Sequence, residues 1–155
     1  RRQRQMCIRD RFVGGVGRGS GGKSAFLERT RWNGKVPFEV ETMRATPTGF
    51  VLNFTEKVDP STAGNPGSYV MEAWTYIYQK SDGSPEVDQA TPKITGAEAS
   101  EDGLSVELTV IGRVQGHVHH LNSKGVTSAK GAKLWHADVY YTLNEIPLFR
   151  RVEER

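Results

Sequence analysis

Apolar and polar residues alternate at period two in seven short stretches between Phe38 and Leu143, each bounded by turn-forming residues. Phe50, Leu52 and Phe54 fall on one side of a strand, with Val51, Asn53 and Thr55 on the other. Leu104, Val106, Leu108 and Val110 alternate in the same way with Ser105, Glu107 and Thr109. Such alternation gives a strand one buried and one wet face. It predicts strands over 38–44, 50–55, 69–78, 93–99, 104–110, 116–121 and 138–143. Burying Phe50, Leu52 and Phe54 contributes roughly 1.5–3 kcal/mol each, so a polar residue at Leu52 is expected to unfold the module. The fold class expected is all-β: a seven-stranded antiparallel Ig-like β-sandwich with an irregular N-terminal extension.

The connections carry their own signals. Pro47-Thr48-Gly49, Asp102-Gly103 and Lys130-Gly131 mark turns, and an Asp-Gly pair suits a hairpin. The segment 58–68 is rich in Pro, Gly, Asn and Asp and predicts one short helical turn, capped by Asp59 or Ser61. Residues 69–78 carry apolar side chains on both faces, Trp74, Tyr76 and Tyr78 on one and Tyr69, Met71 and Ile77 on the other. A central strand, or a covered edge, fits that pattern. Residues 81–92 are polar and read as the longest loop. Upstream, residues 25–32 read as a strand closed by the Asn33-Gly34 turn.

Charge is unevenly distributed. The chain has 155 residues and a net charge of +3. Residues 1–35 hold ten Lys/Arg against two Asp/Glu, whereas 36–155 are net −5. The sandwich is therefore acidic, which argues against nucleic acid as a partner, because that function places positive charge on the folded face. No apolar run approaches the ~18 residues of a membrane span, so no transmembrane segment is expected. One cysteine, Cys7, leaves no intrachain disulfide.

Arg1 to Arg11 looks like translated sequencing-adaptor read-through of the kind seen in metagenomic assemblies, and is expected to be disordered. Gly17, Gly22, Lys23 and Ser24 then satisfy the spacing of a phosphate-binding loop. That chemistry needs a buried parallel strand before the loop and a helix after it. Arg11-Phe12-Val13 makes a poor buried strand, no helix–strand alternation follows, and a glycine-rich surface loop is the better reading.

Phe54-Thr55-Glu56-Lys57-Val58-Asp59-Pro60-Ser61-Thr62-Ala63, followed by Asn65-Pro66-Gly67-Ser68-Tyr69, resembles bacterial Ig-like modules of the surface-layer type. Four stretches more closely resemble another group: residues 74–78, 83–88, 116–119 and 140–144. That group is the C-terminal module of large exported planctomycete and verrucomicrobial proteins. Their β-propeller is of the sugar (glucose/sorbosone) dehydrogenase type, accompanied by haem or cytochrome c domains. Residues 14–39 are similar to the propeller–module junction of that family.

The resemblance implies residues 12–36 as the end of a propeller, 37–146 as the sandwich and 147–155 as a linker tail. It implies a periplasmic or extracellular location, with the propeller and cytochrome-type domains of a parent chain as partners. It implies no cofactor here, since no quinone (PQQ) site can be carried over and no Cys-x-x-Cys-His is present. The expected function is a non-catalytic accessory module that packs on or spaces a catalytic propeller. The second reading is an independent carbohydrate- or surface-binding module.

No catalytic residues are assigned. His117 and His119 share a strand face and are the metal candidates, with His120 and His136 the remaining histidines; an exposed polar strand face is the simpler explanation. Trp74, Tyr76 and Tyr78 are the candidate interface, set against an ordinary core role. Glu56, Asp59, Glu86 and Asp88 are acidic, but their spacing matches no calcium loop.

Overall fold

The computed structural model describes residues 10–15 and 26–149. The chain divides into two compact units, Arg1–Val36 and Pro37–Arg155. In the first, β1 (Asp10–Gly15) pairs antiparallel with β2 (Phe26–Arg31), from Asp10 opposite Arg31 to Gly15 opposite Phe26. Gly17, Gly22, Lys23 and Ser24 lie outside the described residues, as do Cys7 and residues 1–9. The backbone on either side is nevertheless decisive for the phosphate-loop motif. The strand before it is antiparallel, and residues 26–31, where the helix would run, are strand. Asp10 and Arg11, the end of the adaptor-like stretch expected to be disordered, belong instead to β1.

The second unit is a two-layer all-β sandwich. Its strands are β3 (Val40–Ala45), β4 (Gly49–Phe54), β5 (Val70–Tyr76), β6 (Glu86–Ala90), β7 (Lys93–Ala99), β8 (Ser105–Ile111), β9 (Val118–Asn122) and β10 (Asp138–Thr142). One sheet has the order β3-β4-β8-β7 and the other β10-β9-β5-β6, with every pairing antiparallel. The Ig-like sandwich expected from the alternation is thus present, with one strand more than the seven expected. The extra strand, β6, lies inside the polar segment read as a loop.

The inward residues are those the alternation selects. Phe50, Leu52, Phe54, Val106, Leu108 and Val110 face Met71 and Leu121 of the other sheet in one buried cluster. Leu104 precedes β8 and is 40% exposed, because the Ser100–Gly103 turn closes there. Of the two possible caps for the helical turn, the structure uses Asp59. It accepts from the backbone N–H of Ser61 at 2.9 Å at the start of α1 (Pro60–Ala63). Tyr69 sends its hydroxyl into the core, donating to the Ala63 carbonyl at 2.8 Å. Arg113 closes the β3–β4 turn by donating to the carbonyls of Thr46, Pro47 and Gly49, with its guanidinium over the Phe50 ring.

Candidate binding face

Strand alternation sorts the β10-β9-β5-β6 sheet into two sides. Met71, Ala73, His119 and Leu121 are buried, and Val139 and Tyr141 pack on the core. The intervening positions point outward and line up across the strands. Glu72, His120 and Tyr140 form one row, Trp74, Val118 and Thr142 the next, and Val70, Asn122 and Asp138 the third.

The rings in these rows hold one another. His120 and Tyr140 stack at 4.6 Å with 11° between planes. Trp74 stands nearly perpendicular to both, at 6.1 Å from His120 and 6.5 Å from Tyr140. His120 Nε2 lies 2.9 Å from Asp138 Oδ1, and Asn122 Nδ2 donates to the same oxygen at 2.7 Å. These two hydrogen bonds, that from His120 first, hold the Asp138 carboxyl below the usual carboxylate range. Beside Trp74, a cavity of about 200 Å³ opens between β5 and β6, lined by Glu72, Glu86, Gln89 and Thr91. The Trp74 indole nitrogen is buried without a hydrogen-bond partner.

Of the three predicted interface aromatics, Trp74 and Tyr76 lie on this outward side of β5. Tyr76 is 47% exposed, while Tyr78 lies beyond the strand and is fully exposed. Ile77, expected opposite them, is also exposed beyond the strand end. The structure supplies His120 and Tyr140 instead, two residues that no sequence pattern links to Trp74.

His117 and His119 are not on a wet strand face: both are buried. His117 precedes β9, and its Nε2 lies 3.0 Å from the Asp88 carboxylate and 3.1 Å from the Asp88 carbonyl. Asp88 adopts a left-handed backbone (φ 54°), which Asp tolerates better than most residues. His119 faces the core, with Nδ1 against the His117 carbonyl at 3.2 Å and Nε2 accepting from the Val114 N–H at 3.4 Å. Both of its ring nitrogens are therefore spent on backbone. His136 pairs with Glu39 at 2.7 Å. Among the described residues, no group of three His, Cys, Asp or Glu side chains is placed to hold a metal ion. The acidic residues read as possible calcium ligands are also dispersed. Asp59 caps α1, Glu56 pairs with Lys130, Asp88 with His117, and Glu86 lines the cavity.

Burial holds His119 neutral, with its pKa below the ordinary 6.5. The unfolded chain therefore binds a proton more readily than the fold as pH drops below about 6.5. Stability is expected to be fully present above that pH. It should then fall on acidification by up to ~1.4 kcal/mol per pH unit until the folded pKa is reached. Urea titrations from pH 7.5 to 5 check this, and His119→Gln should flatten the dependence. A wild-type midpoint that does not change over this range would refute it.

The fold is similar to that of the bacterial S-layer protein SbsC. A structure of its domains 1–6 matches with TM-score 0.54 and 22% identity, over 73% of this chain and 14% of that chain. The structure of the N-terminal part of SbsC matches with TM-score 0.53 and 21% identity, over 70% and 24%. The chain thus spans a small part of either. No protein-family model and no curated protein matches it.

These neighbours correct the closer of the two resemblances. The chain is an Ig-like sandwich resembling S-layer protein domains. The planctomycete and verrucomicrobial sugar-dehydrogenase family, with its propeller, PQQ and haem associations, does not stand. The physical reason lies in which phrases carried it. Residues 74–78 are mostly the end of β5, 83–88 run from a turn into β6, 116–119 lead into β9, and 140–144 are β10 and its exit. Those are positions that any sandwich of this kind must fill with alternating aromatics and turn residues. Among the described residues no helix is long and apolar enough to cross a membrane.

Proposed function

We propose that this chain is a non-catalytic Ig-like module of a larger surface-exposed protein, with the outward side of β10-β9-β5-β6 as its binding face. The observation that carries this reading is how its chemistry-bearing side chains are used. His117 and Asp88, His119, Asp59, and His120 with Asp138 are each engaged in holding turns, strands or rings in place. This outward face also exposes apolar surface among its rings, where Val70 and Tyr140 are 61% and 62% exposed. Clustered exposed aromatics mark interaction sites more often than chance. The likeness to S-layer protein domains supports a place in a surface protein.

The test is co-sedimentation of the full chain with bacterial cell-envelope preparations. Retention that Tyr140→Ala weakens supports the reading. Failure to sediment with Gram-positive and Gram-negative envelopes alike overturns it.

A further inference from the structure

We propose that the outward face of β5, β9 and β10, with the cavity between β5 and β6, binds a neutral glycan chain. This rests on the reading of that face as the binding side of a surface module and adds the ligand class.

Three properties of the face converge on that ligand. The first is aromatic surface fixed in orientation. Tyr140 is held by its stack on His120, Trp74 stands across both rings, and Tyr76 continues the row along β5. A pyranose offers a C–H face that packs on such rings, while its hydroxyls remain free at the edge. Rings already locked together lose little freedom when the sugar lands.

The second property is the polar set around the rings. Asp138 is an ionised acceptor fixed by His120 and Asn122. Glu72 and Glu86 line the cavity beside Trp74 and make no ion pair with a described residue, and Gln89 adds both a donor and an acceptor. Sugar hydroxyls donate to carboxylates, and the Trp74 indole N–H is a donor still without a partner. At about 200 Å³ the cavity is smaller than the ~300 Å³ at which pockets for drug-sized ligands begin, so it suits one small ring rather than a partner's loop.

The third property is charge. Strands β5, β6, β9 and β10 contain no Lys or Arg, and they carry Glu72, Glu86, Asp88 and Asp138. A uronate- or sulfate-bearing polymer would meet four carboxylates against one neighbouring cation, Lys124, whose charge reaches Asp138, and be repelled on balance. The face therefore selects neutral glycans.

The experiment is affinity electrophoresis of the full chain in native gels containing hydroxyethyl cellulose, galactomannan or polygalacturonate. The expected result is retardation by at least one of the two neutral polymers and none by polygalacturonate. Trp74→Ala and Tyr140→Ala should each weaken that retardation at least tenfold, with melting temperature followed in parallel. Should Trp74→Ala not fold, Tyr140→Ala and Glu72→Gln, both at exposed positions, still decide the matter. No retardation by either neutral polymer, or retardation untouched by Tyr140→Ala and Glu72→Gln, overturns the proposal. So does binding of a Lys-rich peptide in place of any glycan, which would assign the face to a basic protein partner. Envelope sedimentation without retardation by either polymer overturns the glycan while leaving the surface-module reading intact.

Discussion

Gly49→Ala is expected to remove more than ~4 kcal/mol of stability, enough to leave little folded protein at 25 °C. A Cβ built at Gly49 would stand 1.7 Å from the Leu108 carbonyl oxygen and 2.8 Å from its carbon. Both atoms are backbone of β8, the strand that pairs with β4 through Gly49–Thr109 and Phe50–Leu108. Neither strand can retreat without breaking that ladder, and the other end of Gly49 is equally fixed. Its N–H donates to Thr46 Oγ1, and its carbonyl accepts from Arg113 and from the Thr46 N–H. The contrast is Gly96→Ala. There the added methyl meets only the Thr109 side chain, at 3.2 Å, which can turn aside. That variant should stay within about 1 kcal/mol of the parent. Urea denaturation of the pair measures the difference, and a Gly49→Ala midpoint close to the parent's would refute the clash.

The elements legible in the sequence are those whose two faces differ most. In β4 and β8 every second residue is a large apolar side chain, so period and facing follow directly from the pattern. β6 is not legible for the opposite reason. Its five residues, EVDQA, have one β-branched member, and its register with β5 shifts where Asp88 turns left-handed. Local propensity there is outweighed by the His117–Asp88 contact, which comes from a residue 29 positions away.

The binding face has the same character. Trp74 and Tyr76 are visible as a pair on one strand, but His120 and Tyr140 join them only once the β5–β9 and β9–β10 registers are set. A slip of one residue in either would send those rings to the other side. His119 shows how a polar type misleads. In a run of three histidines within four residues it reads as wet, yet the Val114 N–H and His117 carbonyl satisfy its ring and allow it inward. The two resemblances divide along the same line. The phrase from Phe54 to Tyr69 encodes a capped helical turn with a buried tyrosine hydroxyl, a specific structure. The stretches that pointed to a dehydrogenase partner encode strands and turns of general use.

Phe50→Ala should cost about 3–5 kcal/mol, at the upper end for a core truncation. The side chain is completely buried in β4, and three groups use its ring. Tyr141 packs edge-on at 5.5 Å, His119 lies tilted at 5.6 Å, and the Arg113 guanidinium sits 5.7 Å from the centroid. Truncation therefore empties space on both sheets and withdraws the aromatic contacts, each worth about 0.5–1.5 kcal/mol beyond area. Phe50→Leu keeps most of the volume and should lose less than half as much. A second consequence separates this account from simple cavity formation. Burial is the first cause of the depressed His119 pKa, and Phe50 is part of what buries it. In Phe50→Ala, the imidazole should titrate closer to its ordinary 6.5, and the loss of stability on acidification should be shallower than in the parent. Urea midpoints for both proteins from pH 7.5 to 5 read the two effects together. If the variant retains the parent's full acid slope, the His119 environment does not depend on Phe50, and the coupling inferred from their contact is wrong.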